Sequence, residues 1–507
     1  MSSSTASHTQ AGHDGRTGEG HQLRAGRLGV WSIVFFVVAA AAPLVGMTGA
    51  LPPAIALGNG AAAPGAYLLV GLTLLLFSVG YAAMSHRVTN AGAFFAYVGR
   101  GLGHRHGLAS AFVSILAYLA IQLSLFGFFG ALMAGQAGVL PWWGWALLSW
   151  ALVTGLSLVQ VDVGARLLGV LMLMELACLL VMSVAILANG GPEGWQPALS
   201  FSPSAILAGG LNGSAGIALA FAFASFIGFE ATAIYGEEST DPKTAVPRAT
   251  YLAVGVITLL FTLTSFAVVT GLGASKVAEQ VVTMSTVDKV PLAEPAAVLF
   301  GLAGQYVGPW LPKAMGLLVL SSLFAGMLAF QNSASRYFYA LSRGGALPAG
   351  LSRVNRHGAP AAAAWLTSVL CGAVIVVFAL AGLDPVLNMF FWFSGVAVVS
   401  IVLIEILVCL AVVAYFGRHA GEVGVFTGKV APLLAALGLL MGLYLLMSRF
   451  GLLTGAVAEG VDPTTTAWGL SGLGWVLVLL PLIVFLAGHL YALSQSRSQA
   501  LVGDVLA

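Results

Sequence analysis

The sequence predicts an all-α membrane protein with 12 transmembrane helices, and three observations lead to this prediction. The first is composition: 59% of the 507 residues are hydrophobic and only 7% are charged, whereas soluble domains carry about 25% charged residues. The second is a series of long apolar runs, and the third is the one-sided distribution of arginine and lysine between them. The composition alone excludes a soluble enzyme, a disordered chain, a secreted disulfide scaffold and a nucleic-acid-binding protein.

Each predicted span is a run of about 20 or more mostly apolar residues, the length that a helix needs to cross the hydrocarbon core. Short polar connections and prolines separate the runs, which favours separate helices over a few bent ones. The twelve runs cover residues 29–57, 66–86, 107–136, 141–160, 165–189, 205–235, 250–273, 310–340, 360–382, 385–415, 430–448 and 470–494.

The cationic residues predict how these spans are oriented. One alternating set of connections contains sixteen of the twenty, namely Arg16, Arg24, Arg27, Arg87, Arg100, Arg105, Arg166, Lys243, Arg248, Arg336, Arg343, Arg353, Arg356, Arg418, Lys429 and Arg497. The opposite set contains only Lys276, Lys289, Lys313 and Arg449. Because arginine and lysine accumulate on the cytoplasmic side, we expect a cell-membrane protein, in the inner or plasma membrane, with both termini cytoplasmic. Two termini on the same side of the membrane require an even number of spans, and the twelve predicted spans meet this requirement.

The chain ends and the cysteines carry no signal for a cofactor or metal. Residues 1–28 and 495–507 are expected to be cytoplasmic tails, the first of them disordered because it is polar and lacks aliphatic residues. No signal-peptide pattern precedes residue 29, so the first run is expected to be a true span. Cys178, Cys371 and Cys409 lie singly in apolar runs, which predicts small buried hydrophobic residues rather than a disulfide or metal site.

The connection 275–309 is longer than the others and leaves two alternatives open. It contains Pro291, Pro295 and a moderately apolar stretch. It could form short helices that lie over the outer mouth of the bundle, or it could be an ordinary loop.

Two spans carry residues that interrupt a helix. Span 1 contains Pro43, Gly46, Gly49 and Pro53, and we expect it to unwind near Gly46 to Gly49. Span 6 is rich in glycine, and Gly228 lies two residues before the intramembrane Glu230, which indicates a second break. Glycines also let membrane helices pack closely, which is the alternative interpretation of both patterns.

The five-span offset between the two breaks favours a transporter built from inverted repeats. The first repeat would cover residues 29–189 and the second 205–415, with 430–494 as two additional spans. A pair of breaks suits a zwitterion, because the N–H groups at a half-helix start can hold a carboxylate and freed carbonyls can hold an ammonium group.

Three carboxylates fall inside predicted spans: Glu175 in span 5, Glu230 in span 6 and Glu405 in span 10. A charge at the bilayer centre is costly, so such groups usually face a cavity, form a pair or carry a proton. Glu230 lies beside the predicted break, which favours a functional role. Glu175 and Glu405 could instead be neutral structural groups between helices.

Four segments resemble the amino acid–polyamine–organocation (APC) permease superfamily. They are the turn Gly58-Asn59-Gly60 with Pro64-Gly65-Ala66-Tyr67, the stretch Tyr81–Gly103 with Asn90-Ala91-Gly92 and Tyr97, the stretch Phe226–Pro247 with Gly228-Phe229-Glu230, Glu237-Glu238 and Pro242, and the stretch Ser335–Pro348. The resemblance implies a leucine-transporter-type 5+5 inverted-repeat fold with broken helices 1 and 6, and transport of amino acids or related amines.

The resemblance also implies roles for particular residues. The family's Gly-Ser/Thr-Gly break binds the substrate carboxylate, and here Met47, Thr48 and Gly49 occupy those positions. Some relatives have a gating aromatic where this chain has Ala224, which would enlarge the pocket or move the gate to Phe226 or Phe223. In some relatives a span-5 lysine carries the coupling proton, and Glu175 falls at or near its position.

The function predicted from this reasoning is a secondary active transporter of amino acids or amines, a proton-coupled symporter working by alternating access. A proton is favoured over sodium. An exchanger and a transporter-like solute sensor are the alternatives, and the motifs of proteases and ATPases are absent. The predicted substrate-binding residues are Gly46, Met47, Thr48, Gly49, Ala224, Ser225, Phe226, Ile227, Gly228 and Glu230, and the predicted proton-coupling residues are Glu175 and Glu230.

Overall fold

The computed structural model describes residues 29–88, 93–159, 164–210, 213–234, 239–356 and 358–494. Within these ranges the chain is mainly helical, and its β structure is limited to two isolated bridges. Both predicted tails lie outside the described residues, as do Asn90, Ala91, Gly92, Glu237 and Glu238 of the family-like segments.

The α-helices are α1 Val30–Ala41, α2 Pro43–Val45, α3 Leu51–Pro53, α4 Ala63–Ser85, α5 Ala93–Leu102, α6 His104–Ala137, α7 Trp142–Val159, α8 Gly164–Asn189, α9 Pro197–Phe201, α10 Pro203–Ile206, α11 Ala215–Phe226, α12 Ala231–Ile234, α13 Pro242–Leu272, α14 Val277–Ser285, α15 Ala296–Tyr306, α16 Trp310–Arg343, α17 Ala361–Leu380, α18 Phe391–Arg418, α19 Ala431–Ser448, α20 Phe450–Thr454 and α21 Gly472–Ser494. Wider π-helical turns occur at Gly46–Ala50, Ala54–Asn59, Pro385–Phe390 and Phe426–Val430, and 3₁₀ turns at Gly60–Ala62 and Ala349–Ser352.

Eleven helical segments in the described part of the chain are long and apolar enough to cross a membrane. Ten of them match the third to twelfth predicted runs. The other, Val30–Ser85, has 56 residues and contains both of the first two runs. A straight helix of that length would span about 84 Å, far more than the bilayer core. The backbone leaves the helical conformation inside it, at Ala42, Gly58 and Gly60.

The sixth run is shorter than predicted at its N-terminal end. The helix begins at Ala215 rather than near 205, because Pro203–Ile206 forms a short helix of its own. Gly209 and Gly210 then follow in left-handed conformations with φ of 76° and 56°, between the end of that short helix and the start of the span.

The bundle buries its broken segments and exposes apolar side chains at its periphery. In the most apolar stretch of the sixth span 94% of residues are buried, against 28% in α7 and in α21. Large aliphatic side chains such as Leu259, Leu317 and Leu380 are 72%, 72% and 84% exposed. A surface of this kind is unfavourable in water and suits a hydrocarbon solvent.

The long connection 275–309 contains short helices, which confirms one of the two alternatives. They are α14 and α15. The first packs against the π-helical turn Ala54–Asn59, and the second packs against Gly46–Ala50. The connection therefore covers one end of the broken first span.

Candidate functional site: a cavity between two broken helices

The first span is interrupted at Ala42, which has φ 45° and ψ 68° and separates α1 from α2. A residue that precedes proline is disfavoured in the right-handed helical region, because the proline ring collides with its backbone. Pro43 follows Ala42 directly, so the local sequence favours a break here, although Leu51 before Pro52 in the same span stays helical. The predicted interruption of span 1 is confirmed.

The predicted position of that interruption was wrong. Gly46 to Gly49 do not unwind but form part of a π-helical turn, in which Thr48 Oγ1 donates a hydrogen bond to Leu44 O at 2.7 Å. The two glycines serve close packing instead. A Cβ on Gly46 would lie 3.2 Å from Ser225 Cβ, and one on Gly49 would lie 3.0 Å from the Phe128 ring.

The second break lies where the sequence predicts it. Helix α11 ends at Phe226, Ile227 has φ −56° and ψ 130°, and Gly228 has φ 118°. This value of φ is rarely open to a residue with a side chain. The carboxylate of Glu230 closes the turn, since its Oε2 accepts a hydrogen bond from Gly228 N at 2.8 Å.

The two breaks face each other across a backbone contact. A Cβ on Gly228 would lie 2.9 Å from Ala40 C and 3.0 Å from Ala41 N, at the end of α1. On the other side of the break, Ser225 Oγ donates to Phe221 O at 2.8 Å and lies 3.5 Å from Gly46 O. Tyr67 Oη lies 3.3 Å from the same hydroxyl, so Ser225 joins spans 1, 2 and 6.

A cavity lies between the breaks, where the space among the lining residues, including the part open to solvent, is about 450 Å³. Its lining is apolar apart from two hydroxyl side chains and backbone groups, and it contains no charged side chain. The lining residues are Ala40, Ala41, Ala42, Val45, Gly46, Ala50, Ile121, Leu125, Phe221, Ala224, Ser225, Ile227, Phe330, Phe390 and Ser394.

Four predicted substrate-binding residues line this cavity: Gly46, Ala224, Ser225 and Ile227. The other six do not line it: Met47, Thr48, Gly49, Phe226, Gly228 and Glu230. Phe223 and Phe226, which the sequence suggests as alternative gates, do not line the cavity either. Phe226 packs edge-on against Phe261, with ring centroids 5.5 Å apart.

Several lining residues were missed by reasoning from the sequence. Ile121 and Leu125 come from α6, Phe330 from α16, and Phe390 and Ser394 from the tenth span. All but Ser394 are apolar residues in apolar runs, so nothing in the sequence distinguishes them from core residues. Ala40 to Ala42 had a readable signal, because the proline after Ala42 marks the end of α1.

Glu175 lies behind the first break. It is 4% exposed and borders a second space of about 220 Å³, together with Ala39, Ser321 and Ser322 among others. Ala39 and Ala40 are neighbours in α1, so the second space and the main cavity border adjacent residues of the same helix.

Glu230 and Glu405 are also enclosed, at 1% and 2% exposure. Tyr81 Oη donates to the backbone oxygen of Glu230 at 2.7 Å, which secures the second break from span 2. Glu230 Oε1 and Glu405 Oε2 have no hydrogen-bond partner among the described residues. Neither they nor Glu175 forms an ion pair in that part of the chain.

The cysteine prediction is confirmed: Cys178, Cys371 and Cys409 are buried free thiols. Among the described residues, no cluster of three or more histidine, cysteine, aspartate or glutamate side chains is suited to a metal ion.

Comparison with known proteins identifies the family. The family model described as amino acid permease matches residues 30–502, almost the whole chain. The chain belongs to the amino acid permease family. The APC resemblance is therefore confirmed, and this permease is a multi-pass transporter rather than an enzyme.

Curated relatives of the permease are similar over most of their length but at low identity. A branched-chain amino acid permease of Bacillus subtilis is 23% identical over 64% of this chain and 71% of its own. One of Lactococcus lactis is 26% identical over 64% and 70%. An uncharacterized transporter of Mycobacterium tuberculosis is 26% identical over 74% and 78%.

Proposed function

We propose that this permease carries a neutral amino acid with an apolar side chain across the cell membrane by alternating access. The uncharged, largely aliphatic and aromatic lining of the cavity between the two breaks is the observation that supports this most strongly. A charged substrate side chain would enter without a partner, which is unfavourable in a buried site. The names of the two branched-chain amino acid permeases among the relatives favour the same substrate class.

The breaks would hold the two charged ends of the substrate. Pro43 has no N–H group and Gly46 N donates to Ala42 O at 3.0 Å, so Leu44 and Val45 would supply the N–H groups at this helix start, and Val45 lines the cavity. These groups suit a carboxylate. The ends of α1 and α11 contribute carbonyl groups that suit an ammonium group, and the Ser225 and Ser394 hydroxyls add polar contacts.

The architecture that fits this function has twelve crossings. The 56-residue segment Val30–Ser85 would cross twice, turning at Gly58–Gly60. Residues 29–189 and 205–415 would be the inverted repeats of a leucine-transporter-type fold, with broken helices 1 and 6 and residues 430–494 added. The excess of arginine and lysine on one side would place both termini in the cytoplasm.

Uptake would be coupled to protons through Glu175 and Glu230. Both are enclosed and lack an ion-pair partner in the described part of the chain, and each lies next to one of the breaks. An enclosed carboxyl group without a cation is stable only when it is neutral. Movement at a break that admits water would therefore change the proton occupancy of its glutamate.

The test is uptake of radiolabelled amino acids and amines into proteoliposomes, with and without an inward proton gradient. We expect gradient-driven uptake of leucine, isoleucine and valine, and little uptake of lysine or glutamate. Glu175→Gln and Glu230→Gln should abolish the response to the gradient, while Glu405→Gln serves as a buried-carboxyl comparison. Uptake that depends on internal substrate instead of the gradient would show exchange, and preference for a charged amino acid would contradict the substrate proposal.

A further inference from the structure

Two buried glutamines face each other directly behind the cavity wall. Gln122 of α6 is fully buried and Gln331 of α16 is 1% exposed. Gln122 Nε2 donates a hydrogen bond to Gln331 Oε1 at 2.8 Å. The proposed function does not use this pair. Burying two amides in an apolar interior costs free energy unless their polar atoms form hydrogen bonds.

The pair is the centre of a hydrogen-bond network that reaches two further helices. Gln331 Nε2 donates to Ala364 O at 2.9 Å and to Ser368 Oγ at 2.8 Å, both in α17. Trp150 Nε1 of α7 donates to Ser368 O at 2.7 Å. Both N–H groups of the Gln331 amide and its oxygen therefore have partners, which fixes the orientation of the amide.

The residue before each glutamine lines the cavity. Ile121 precedes Gln122 and Phe330 precedes Gln331. Consecutive side chains on a helix diverge by about 100°, so each glutamine holds its neighbour towards the cavity. The same two helices also meet where a Cβ on Gly326 would lie 3.0 Å from Leu125, another lining residue.

We propose that Gln122 and Gln331 are positioning residues that set the separation of α6 and α16 and so determine which apolar side chains the cavity accepts. The proposal rests on the proposed function, because it concerns the same cavity. The mechanism is steric: Ile121, Leu125 and Phe330 form one wall, and the glutamine pair keeps this wall at a fixed distance from the two breaks.

The test is a double-mutant cycle with Gln122→Met and Gln331→Met, which keep the side-chain length and remove the amide. The measured quantities are kcat and KM for alanine, valine, leucine and phenylalanine in proteoliposomes. Each single variant should change the ratio of kcat/KM between phenylalanine and valine by about fivefold to tenfold, mainly through KM, because it leaves a buried polar atom of the remaining glutamine without its partner and so displaces the wall. The double variant should change less than the product of the single effects, because no amide is left unpaired.

Ser183→Ala is the matched control. It removes another buried interhelical hydrogen bond, to Thr264 Oγ1 at 3.3 Å between α8 and α13, away from the cavity lining. It should leave the selectivity ratio unchanged. Ser368→Ala is the milder variant if a glutamine variant fails to fold, because it removes one acceptor of Gln331 and leaves Ala364 O in place. It should change the ratio in the same direction by a smaller factor.

The inference would be overturned if the ratio of kcat/KM between phenylalanine and valine were unchanged in all folded variants. It would also be overturned if the glutamine variants changed this ratio no more than Ser183→Ala does. Such a result would leave the proposed function intact provided that the wild-type protein transports the panel. If the wild-type protein transports none of these amino acids, the proposed function fails first.

Discussion

Gly228 is one of the residues at which the two broken helices touch. Its φ of 118° and its contact with Ala40 and Ala41 each exclude a side chain for a separate reason, one conformational and one steric. The pattern Gly-Phe-Glu is therefore explained by geometry: the glycine makes the turn, and the Glu230 carboxylate accepts its N–H.

Gly228→Ala should lower transport by about tenfold or more, because the strain of about 1–3 kcal/mol falls on the contact between the breaks. Initial uptake rates of the reconstituted variant measure this. Gly255→Ala is the control, since a Cβ at Gly255 meets no atom within 4 Å and the residue lies inside α13. Equal activity of the two variants would show that the contact between the breaks does not matter for transport.

Pro43→Ala should also impair transport, by allowing Ala42 to join a continuous helix and so removing the first break. We expect an uptake rate about tenfold lower together with unchanged or higher thermal stability, because a helix interior generally gains from the loss of a proline. The comparison is Pro481→Ala in the peripheral α21, which should leave uptake unchanged. A Pro43 variant that loses stability and activity together would point to misfolding rather than to loss of the break.

At the scale of elements, the connection after α8 is tied to the connection after α13. The Glu193 carboxylate accepts hydrogen bonds from the Ser275 hydroxyl and from Ser275 N. These bonds lower the pKa of Glu193 below its ordinary value of 4.5. The contact therefore stabilises the fold above the pKa of the unfolded chain, and this contribution disappears as the pH falls through the lower pKa of the folded state.

Ser275→Ala should accordingly lower the thermal unfolding midpoint at neutral pH by a small amount, and this effect should disappear as the pH falls through the lowered pKa of Glu193 in the folded state. Thermal unfolding of the detergent-solubilised protein across this pH range would measure it. A destabilisation that does not depend on pH would mean that Ser275 acts through packing and not through the carboxylate.

The position of elements was readable from the sequence to different degrees. Long apolar runs predicted the spans because hydrocarbon length sets a minimum helix length. Gly228 predicted its break because a glycine beside an intramembrane carboxylate is unusual, whereas Gly46 and Gly49 were misinterpreted because glycine also serves packing. The wall formed by Ile121, Leu125 and Phe330 was not predictable, since their place depends on how distant helices pack.

At the scale of the whole molecule, the native cysteines permit a direct test of orientation. All three thiols are buried, so a single cysteine introduced at an exposed site reports on that site alone. Gly424→Cys and Glu459→Cys lie in exposed connections on either side of α19. We expect a membrane-impermeant maleimide applied to intact cells to label the second position and not the first.

The same labelling after permeabilisation should modify both positions, which serves as the control for accessibility. Labelling of position 424 in intact cells would reverse the orientation proposed from the arginine and lysine distribution. Labelling of both positions before permeabilisation would mean that α19 does not cross the membrane, and the count of twelve crossings would then fail.

Because the two breaks arise from different residue types, we expect them to move to different extents during transport. Pro43 favours the first break, because its ring disfavours a right-handed helical conformation at Ala42 and it has no N–H group to bond back to the preceding turn. Gly228 merely permits the second, and glycine can move between several backbone conformations at little energetic cost. The first break should therefore keep its backbone conformation, and the second should act as the hinge. Between the inward-open and outward-open states, we expect the larger change in backbone dihedral angles at Ile227 and Gly228.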